Sequence, residues 1–375
     1  MSHKWKRAVC CVLATVSCIP ASASELTNWG LLNSNFVFHL QCESNLPYVI
    51  QGSTNLAQWI TVMRSVSGGT NRSFLTDKLQ PHLFFRAVQT NEPLFTFALA
   101  TRHGLDLFGN NLRVDSFDSG NPLYSTGGRW VVTKARAYGN VGCNDTITNN
   151  VPVGNFTVSG KVSTGPYGNL PLGPNSAVGS LAWNAVGNTG IQPGYFADDM
   201  NGGFPAAVMP VSSGAWLPMP GAVGGVITFN SSGSYRVDSS GPVSGKLIVA
   251  APNVRLRVDG GMSVSGTGSI TISSNASITI YLNCPSANIG GQGVINSGMA
   301  SQCYILGTPT LKTLALGGNG EATCAVYAPH ADVTLPGGGA GEQDFSGAIV
   351  ANSLRFTAHY NIHFDESLLR SAPIE

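Results

Sequence analysis

Ala325-Val326-Tyr327-Ala328-Pro329-His330-Ala331-Asp332-Val333-Thr334-Leu335 and Gly347-Ala348-Ile349-Val350-Ala351-Asn352-Ser353-Leu354-Arg355-Phe356 share one grammar: an apolar run, a sharp corner, then a second strand. Ile248-Val249-Ala250-Ala251-Pro252-Asn253-Val254-Arg255-Leu256 repeats it. Val326 and Ile349 stand 23 residues apart, and Cys303 precedes its strand as Cys324 precedes the next. Ile270-Thr271-Ile272, Ile278–Leu282, Tyr304-Ile305-Leu306 and Leu314-Ala315-Leu316 lie between, each bounded by Gly, Asn or Ser. A repeat of roughly 20 residues with two or three strand-corner units is the sequence form of a parallel β-solenoid, in which stacked coils pair their backbones and align their apolar side chains in ladders. A β-sandwich also uses many short strands but does not produce that repeat. Val326, Tyr327, Ile349 and Val350 are therefore expected in adjacent coils of one sheet. The same register puts Cys303, Cys324 and Gly347 at equivalent places, the two thiols forming either a buried stack or a strained disulfide.

Composition agrees with an all-β chain. Of 375 residues 46 are Gly and 21 Pro, and only 10 % are charged, which disfavours a helical enzyme. The net charge of +1 and the lack of a basic stripe speak against nucleic acid as a partner. Lys4, Lys6 and Arg7, the apolar run Ala8 to Ile19 and Ala21-Ser22-Ala23 read as a cleavable export signal over 1–23. Its apolar run is shorter than the ~20 residues of a membrane span, so no transmembrane segment is expected in the mature chain. That places the protein in the periplasm, at the cell surface or outside the cell. The mature chain keeps five cysteines, Cys42, Cys143, Cys284, Cys303 and Cys324. An odd number in an oxidising compartment leaves at least one unpaired within the chain.

The organisation reads as a small antiparallel β-module over 24–91, a first part of the solenoid over 94–203, a Pro-rich linker over 204–220 between two halves of the stack, a main solenoid over 221–370 and a tail over 371–375. Ser53-Thr54-Asn55-Leu56 with Trp59 and Phe85-Arg86-Ala87 resembles a short fibronectin-like module of secreted bacterial proteins. Gly109-Asn110-Asn111-Leu112-Arg113-Val114-Asp115-Ser116-Phe117-Asp118, the two late windows, and His363-Phe364-Asp365-Glu366-Ser367-Leu368 resemble an uncharacterised exported bacterial β-helical domain, over about residues 97–369. Some members of that family are linked to pilus biogenesis. The resemblance implies a right-handed β-helix and an exported location, and it implies no activity.

Polysaccharide lyases and hydrolases on such folds need clustered carboxylates or a carboxylate-bound cation. Between Asn201 and Gly320 the only acids are Asp238 and Asp259. Asp198-Asp199, followed by Asn201-Gly202-Gly203, reads as a turn rather than a catalytic pair. In His359-Tyr360-Asn361-Ile362-His363-Phe364-Asp365-Glu366 an extended chain puts His359, Asn361, His363 and Asp365 on one face. The opposite face, Tyr360, Ile362 and Phe364, is expected to seal the end of the solenoid. His359, His363 and Asp365 have the ligand types of a divalent metal site. A solvated terminal strand with Asp365 or Ser367 capping a short helix accounts for them better. No catalytic residue, cofactor or metal is assigned. The reading is a non-catalytic structural or surface protein used for adhesion or envelope assembly, with envelope components or glycans as partners. Its alternative is a carbohydrate-binding or polysaccharide-degrading β-helix protein, with Trp130, Trp183 and Trp216 as stacking platforms.

Overall fold

The computed structural model describes residues 25–32, 35–41, 47–57, 60–66, 71–76, 84–89, 94–107, 111–148, 155–207, 209, 216–237, 243–318, 321–337 and 341–371. The export signal, Cys42 and Trp59 lie outside them. Two compact units result, one of Met1–Glu92 with Gly202–Pro205 and one of Pro93–Asn201 with Ala206–Glu375.

The smaller unit contains two antiparallel three-stranded sheets. One pairs Glu25–Leu32, Asn35–Gln41 and Asn71–Thr76, and the other pairs Ile60–Val66, Pro47–Ser53 and Phe84–Gln89. The expected turn after Pro47–Ser53 is closed by its own side chains. Ser53 Oγ accepts the amides of Asn55 and Leu56, and Asn55 Oδ1 accepts that of Ala57. Short polar side chains that bond their own backbone favour such turns.

The larger unit is a stack of parallel, in-register strands, consistent with a β-solenoid. One ladder of aligned residues runs Leu217, Tyr235, Leu256, Ile280, Ile305, Val326, Ile349, Leu99, Val141, Val162, Phe196. A second runs Met262, Ala287, Leu314, Val333, Leu354, Leu105, Ile147. A third runs Phe345, Ile362, Val114, Val158, Val178, Ile191. Nearly every rung between the ends is fully buried, and each such side chain contributes about 1.5–3 kcal/mol through removal from water. Val326, Tyr327, Ile349 and Val350 occupy adjacent coils of one sheet, as the repeat requires.

The coils are not stacked in chain order. Leu99–Thr101 and Leu112–Phe117, the first strands of the unit, pair with Gln343–Phe356 and Tyr360–Asp365, the last. We refer to this joint as the seam. The two halves on either side of the Pro-rich stretch are stacked in the reverse of chain order, with the coil of Phe196 at one end of the ladder and that of Leu217 at the other. Nor does Tyr360–Asp365 seal an end. It lies between two strands because its edge groups, like those of Leu112–Phe117, need partners.

The outward face of the long ladder's sheet is also covered. Tyr281, Leu306, Tyr327, Val350 and Ala100 point away from the core yet are buried. Trp216 packs edge-on against Tyr281 at 6.4 Å, and Phe95 lies 6.1 Å from Tyr327 and 6.2 Å from Tyr304. Gly142, which has no side chain, leaves the room taken by Met200.

Cys303 and Cys324 are buried free thiols one rung apart, and Cys143 and Cys284 are buried and free as well. Burial pushes the Cys303 thiol up to about 12. Gly347 follows Cys324 in register with φ +145°, and a Cβ there would fall 1.8 Å from the Cys324 carbonyl oxygen. Gly347→Ala is expected to destabilise the protein by about 3 kcal/mol, and Gly266→Ala, at φ +57° in open space, by about 1 kcal/mol. Chemical-denaturation midpoints of the two variants test this; equal losses would show that the collision at Gly347 is relieved by backbone movement.

Candidate functional site

The polar residues of the larger unit concentrate at the seam, under the segment from Asp118 to Tyr138. That segment leaves Leu112–Phe117, turns back, and carries Thr126-Gly127-Gly128-Arg129, where Thr126 and Arg129 exchange both backbone hydrogen bonds. Gly127 and Gly128 have φ of +59° and +78°, the requirement of a type I′ turn. The turn delivers Arg129 and Trp130 onto the sheet.

Trp130 stacks on the imidazole of His363 with ring centres 3.8 Å apart and planes 19° from parallel. His363 is 3 % exposed. Its Nδ1 lies 2.6 Å from Asp115 Oδ1, and its Nε2 lies 3.5 Å from Asp344 Oδ1, an ion-pair contact too long for a hydrogen bond. Burial alone pushes this imidazole down. The hydrogen bond of Asp115 and the negative charges of Asp115 and Asp344 outweigh it and hold the group at about 8, above the ordinary 6.5. Asp115 is raised by burial against the pull of His363, while the contact with His363 lowers Asp344. An imidazolium between two carboxylates, faced by an indole ring, is stabilised by charge pairing and by the ring quadrupole.

Further polar contacts lie along the seam. Asp365, with no exposed surface, accepts the amides of Ser119 at 3.1 Å and Ser367 at 3.0 Å on Oδ1, and the Ser119 hydroxyl at 2.7 Å on Oδ2. Glu366 Oε1 accepts Ser116 Oγ at 2.8 Å and pairs with Arg136 Nε at 3.1 Å, whose guanidinium sits 4.0 Å from the Tyr124 ring centre. Asp118 Oδ1 pairs with Arg370 Nη2 at 2.6 Å. Arg129 pairs with Glu321, and Arg102 Nη1 lies 3.0 Å from His330 Nδ1. Apart from the Ser367 cap and the Arg136–Tyr124 contact, each of these joins residues 102–136 to residues 321–370. Asp365 caps the 3₁₀ helix Glu366–Leu369 through Ser367, as its sequence suggests.

The suggested metal ligands do not converge. His359 is exposed, His363 is engaged by Asp115, and Asp365 is saturated by Ser119 and Ser367. Among the described residues no group of three or more His, Cys, Asp or Glu is arranged to hold a metal ion. Asp198 and Asp199 are both exposed beside the strand Phe196–Ala197. The tryptophans do not form one platform. Trp130 covers His363, the Trp183 amide is capped by Ser180 Oγ with its ring against Gly179, and Trp216 meets Tyr281. Sequence reasoning missed Asp115, Asp344, Glu366 and Ser119 as a set; the available signal was Gly127-Gly128, which marks a hairpin in an otherwise unpatterned stretch.

Residues 219–371 match the model of a domain of unknown function (DUF7305). No curated protein and no solved structure matches the chain. The matched stretch ends just past the 3₁₀ helix, so it holds the coils on one side of the seam, and Leu99–Phe117 lies beyond it.

Because His363 is held above 6.5, its contribution to stability is complete below pH 6.5 and is lost as pH rises through about 8. The full loss is about 2 kcal/mol. Above pH 9 the raised thiols and tyrosines add loss of the same sign, and near pH 6.5 His330, held below its ordinary value by burial and Arg102, adds a gain with rising pH, so the loss between pH 7 and 8.5 reports His363. Urea midpoints between pH 7 and 8.5 are expected to fall with pH in the native chain and not to fall in His363→Gln; a fall that survives the substitution would assign it to another group.

Proposed function

We propose that the protein is an exported, non-catalytic structural protein. In this reading a right-handed β-solenoid serves adhesion or assembly at the cell envelope, including pilus-type assembly. The fibronectin-like module acts as a contact or spacer. The observation that carries the reading is the mutual engagement of the titratable groups at the seam. Asp115, Asp344, His363, Asp365, Glu366, Arg136, Asp118 and Arg370 each answer another group of the same chain. A general acid or base has to reach a substrate proton, and these groups are directed at one another. Elsewhere the strand faces are poor in charge, and the ladders serve rigidity. The dispersed tryptophans give no support to a sugar-stacking flank.

A glycan array and a lyase and hydrolase panel, run on the mature protein, test the reading. Binding without turnover, or neither, is the expected result. Asp344→Asn, Asp198→Asn and Asp199→Asn are expected to change stability at pH 7 by less than about 1 kcal/mol and to leave glycan binding unchanged. A turnover that any of the three abolishes would overturn the non-catalytic reading in favour of a polysaccharide-degrading one.

A further inference from the structure

The outward face of the long ladder's sheet is covered at Tyr281 and Tyr327, but beside Tyr304 it opens into a cleft of about 180 Å³. Arg255, Thr279 and Tyr304 line it from successive strands in register, and Ser277 and Ser301 line it from the corners just before two of those strands. We propose that this cleft binds one neutral pyranose, the terminal sugar of a glycan. The proposal rests on the adhesive reading for its role and on the cleft alone for its chemistry.

Two hydroxyls carry the argument. Thr279 is 6 % exposed, lines the cleft, and has no hydrogen-bond partner among the described residues. Ser301, half-buried one coil on, has none among them either. A polar group held out of bulk water without a partner carries a cost that a ligand able to bond it recovers. The rest of the lining completes a set of donors and acceptors. Ser277 Oγ accepts the Asn253 amide at 2.8 Å and keeps its own proton to donate. Tyr304 donates to Ser371 Oγ at 3.2 Å, which leaves the lone pairs of its oxygen to accept.

A polyol matches such a lining, because each of its hydroxyls both donates and accepts. No carboxylate lines the cleft, so a metal ion or an ammonium group finds no counter-charge in it. Arg255 already has a partner within the chain, and a neutral ligand asks no charge of it. An apolar guest would leave Thr279 and Ser301 unpaired. Size narrows the class further. An apolar cavity of about 150 Å³ takes one benzene ring, so this volume suits a single six-membered ring. Neighbouring coils lie about 4.8 Å apart, close to the spacing of equatorial hydroxyls on alternate carbons of a pyranose, so side chains of successive coils can each meet one.

Saturation-transfer NMR on the mature protein tests this, with glucose, galactose, mannose and N-acetylglucosamine as probes and glycerol and glucuronate for comparison. At least one neutral sugar is expected to bind with a dissociation constant of order 1 mM, the strength that a ligand of this size allows, and glycerol about tenfold more weakly or less. Thr279→Val removes a hydroxyl at nearly constant shape. It is expected to weaken binding about fivefold or more while its urea midpoint stays level or rises, which a merely structural hydroxyl would not do. Ser301→Leu fills the cleft and is expected to abolish binding. A chain ending at Ser371 is expected to bind within about twofold of the full chain. No binding by any of the four sugars up to about 50 mM, binding by glucuronate alone, or affinity that appears only once 372–375 are removed would overturn the proposal. Binding that both substitutions leave intact would also overturn it, and the adhesive reading would then stand on another surface. Turnover of a sugar that both substitutions abolish would keep the site and sink the non-catalytic reading instead.

Discussion

A parallel coil exposes a row of backbone donors and acceptors on each edge, and the larger unit depends on how those edges are paired. Interior edges are paired by the next coil. After Tyr360–Asp365 the chain enters the 3₁₀ helix Glu366–Leu369, and the edges of Gln343–Phe356 and Tyr360–Asp365 are paired from the other side of the sequence by Leu99–Phe117. The buried polar clasp follows from this choice. A ladder of Ile and Val is nearly indifferent to which coil it meets, whereas Asp365 between Ser119 and Ser367, or Asp115 beside His363, is satisfied in one register only. Buried charges add little net stability against apolar substitutes, but removing one partner leaves the other costly, so they fix the register more than they strengthen it.

The local grammar of the fold was legible because corners and ladders are local. The equivalence of Cys303, Cys324 and Gly347 came from spacing alone, and the structure places them on successive coils. The cap that Asp365 gives to Glu366–Leu369 came from residue type. Coil order was not legible, since a repeat reports the step from one coil to the next and carries no information on a joint between residues 99 and 349. For the same reason Tyr360–Asp365 read as a terminal strand. Its His363 and Asp365 resembled spare ligands only because their partners, Asp115 and Ser119, lie about 250 positions earlier in sequence.

The outward face shows a third kind of hidden information. Tyr281, Leu306 and Tyr327 look like an exposed apolar stripe when each strand is read alone. They are covered by Phe95 and Trp216, from segments that precede or link the coils and have no periodicity of their own. Irregular segments here do the covering that a second sheet does in a sandwich.

Phe95, at the start of the stack, lies against Tyr304, whose hydroxyl is 3.2 Å from Ser371 Oγ at the end of the described chain. The points where the polypeptide joins and leaves the coils thus share one tyrosine. A pull at these two points meets the contacts of Phe95 and Ser371 with Tyr304, together with the Arg370–Asp118 pair, before it reaches the ladders.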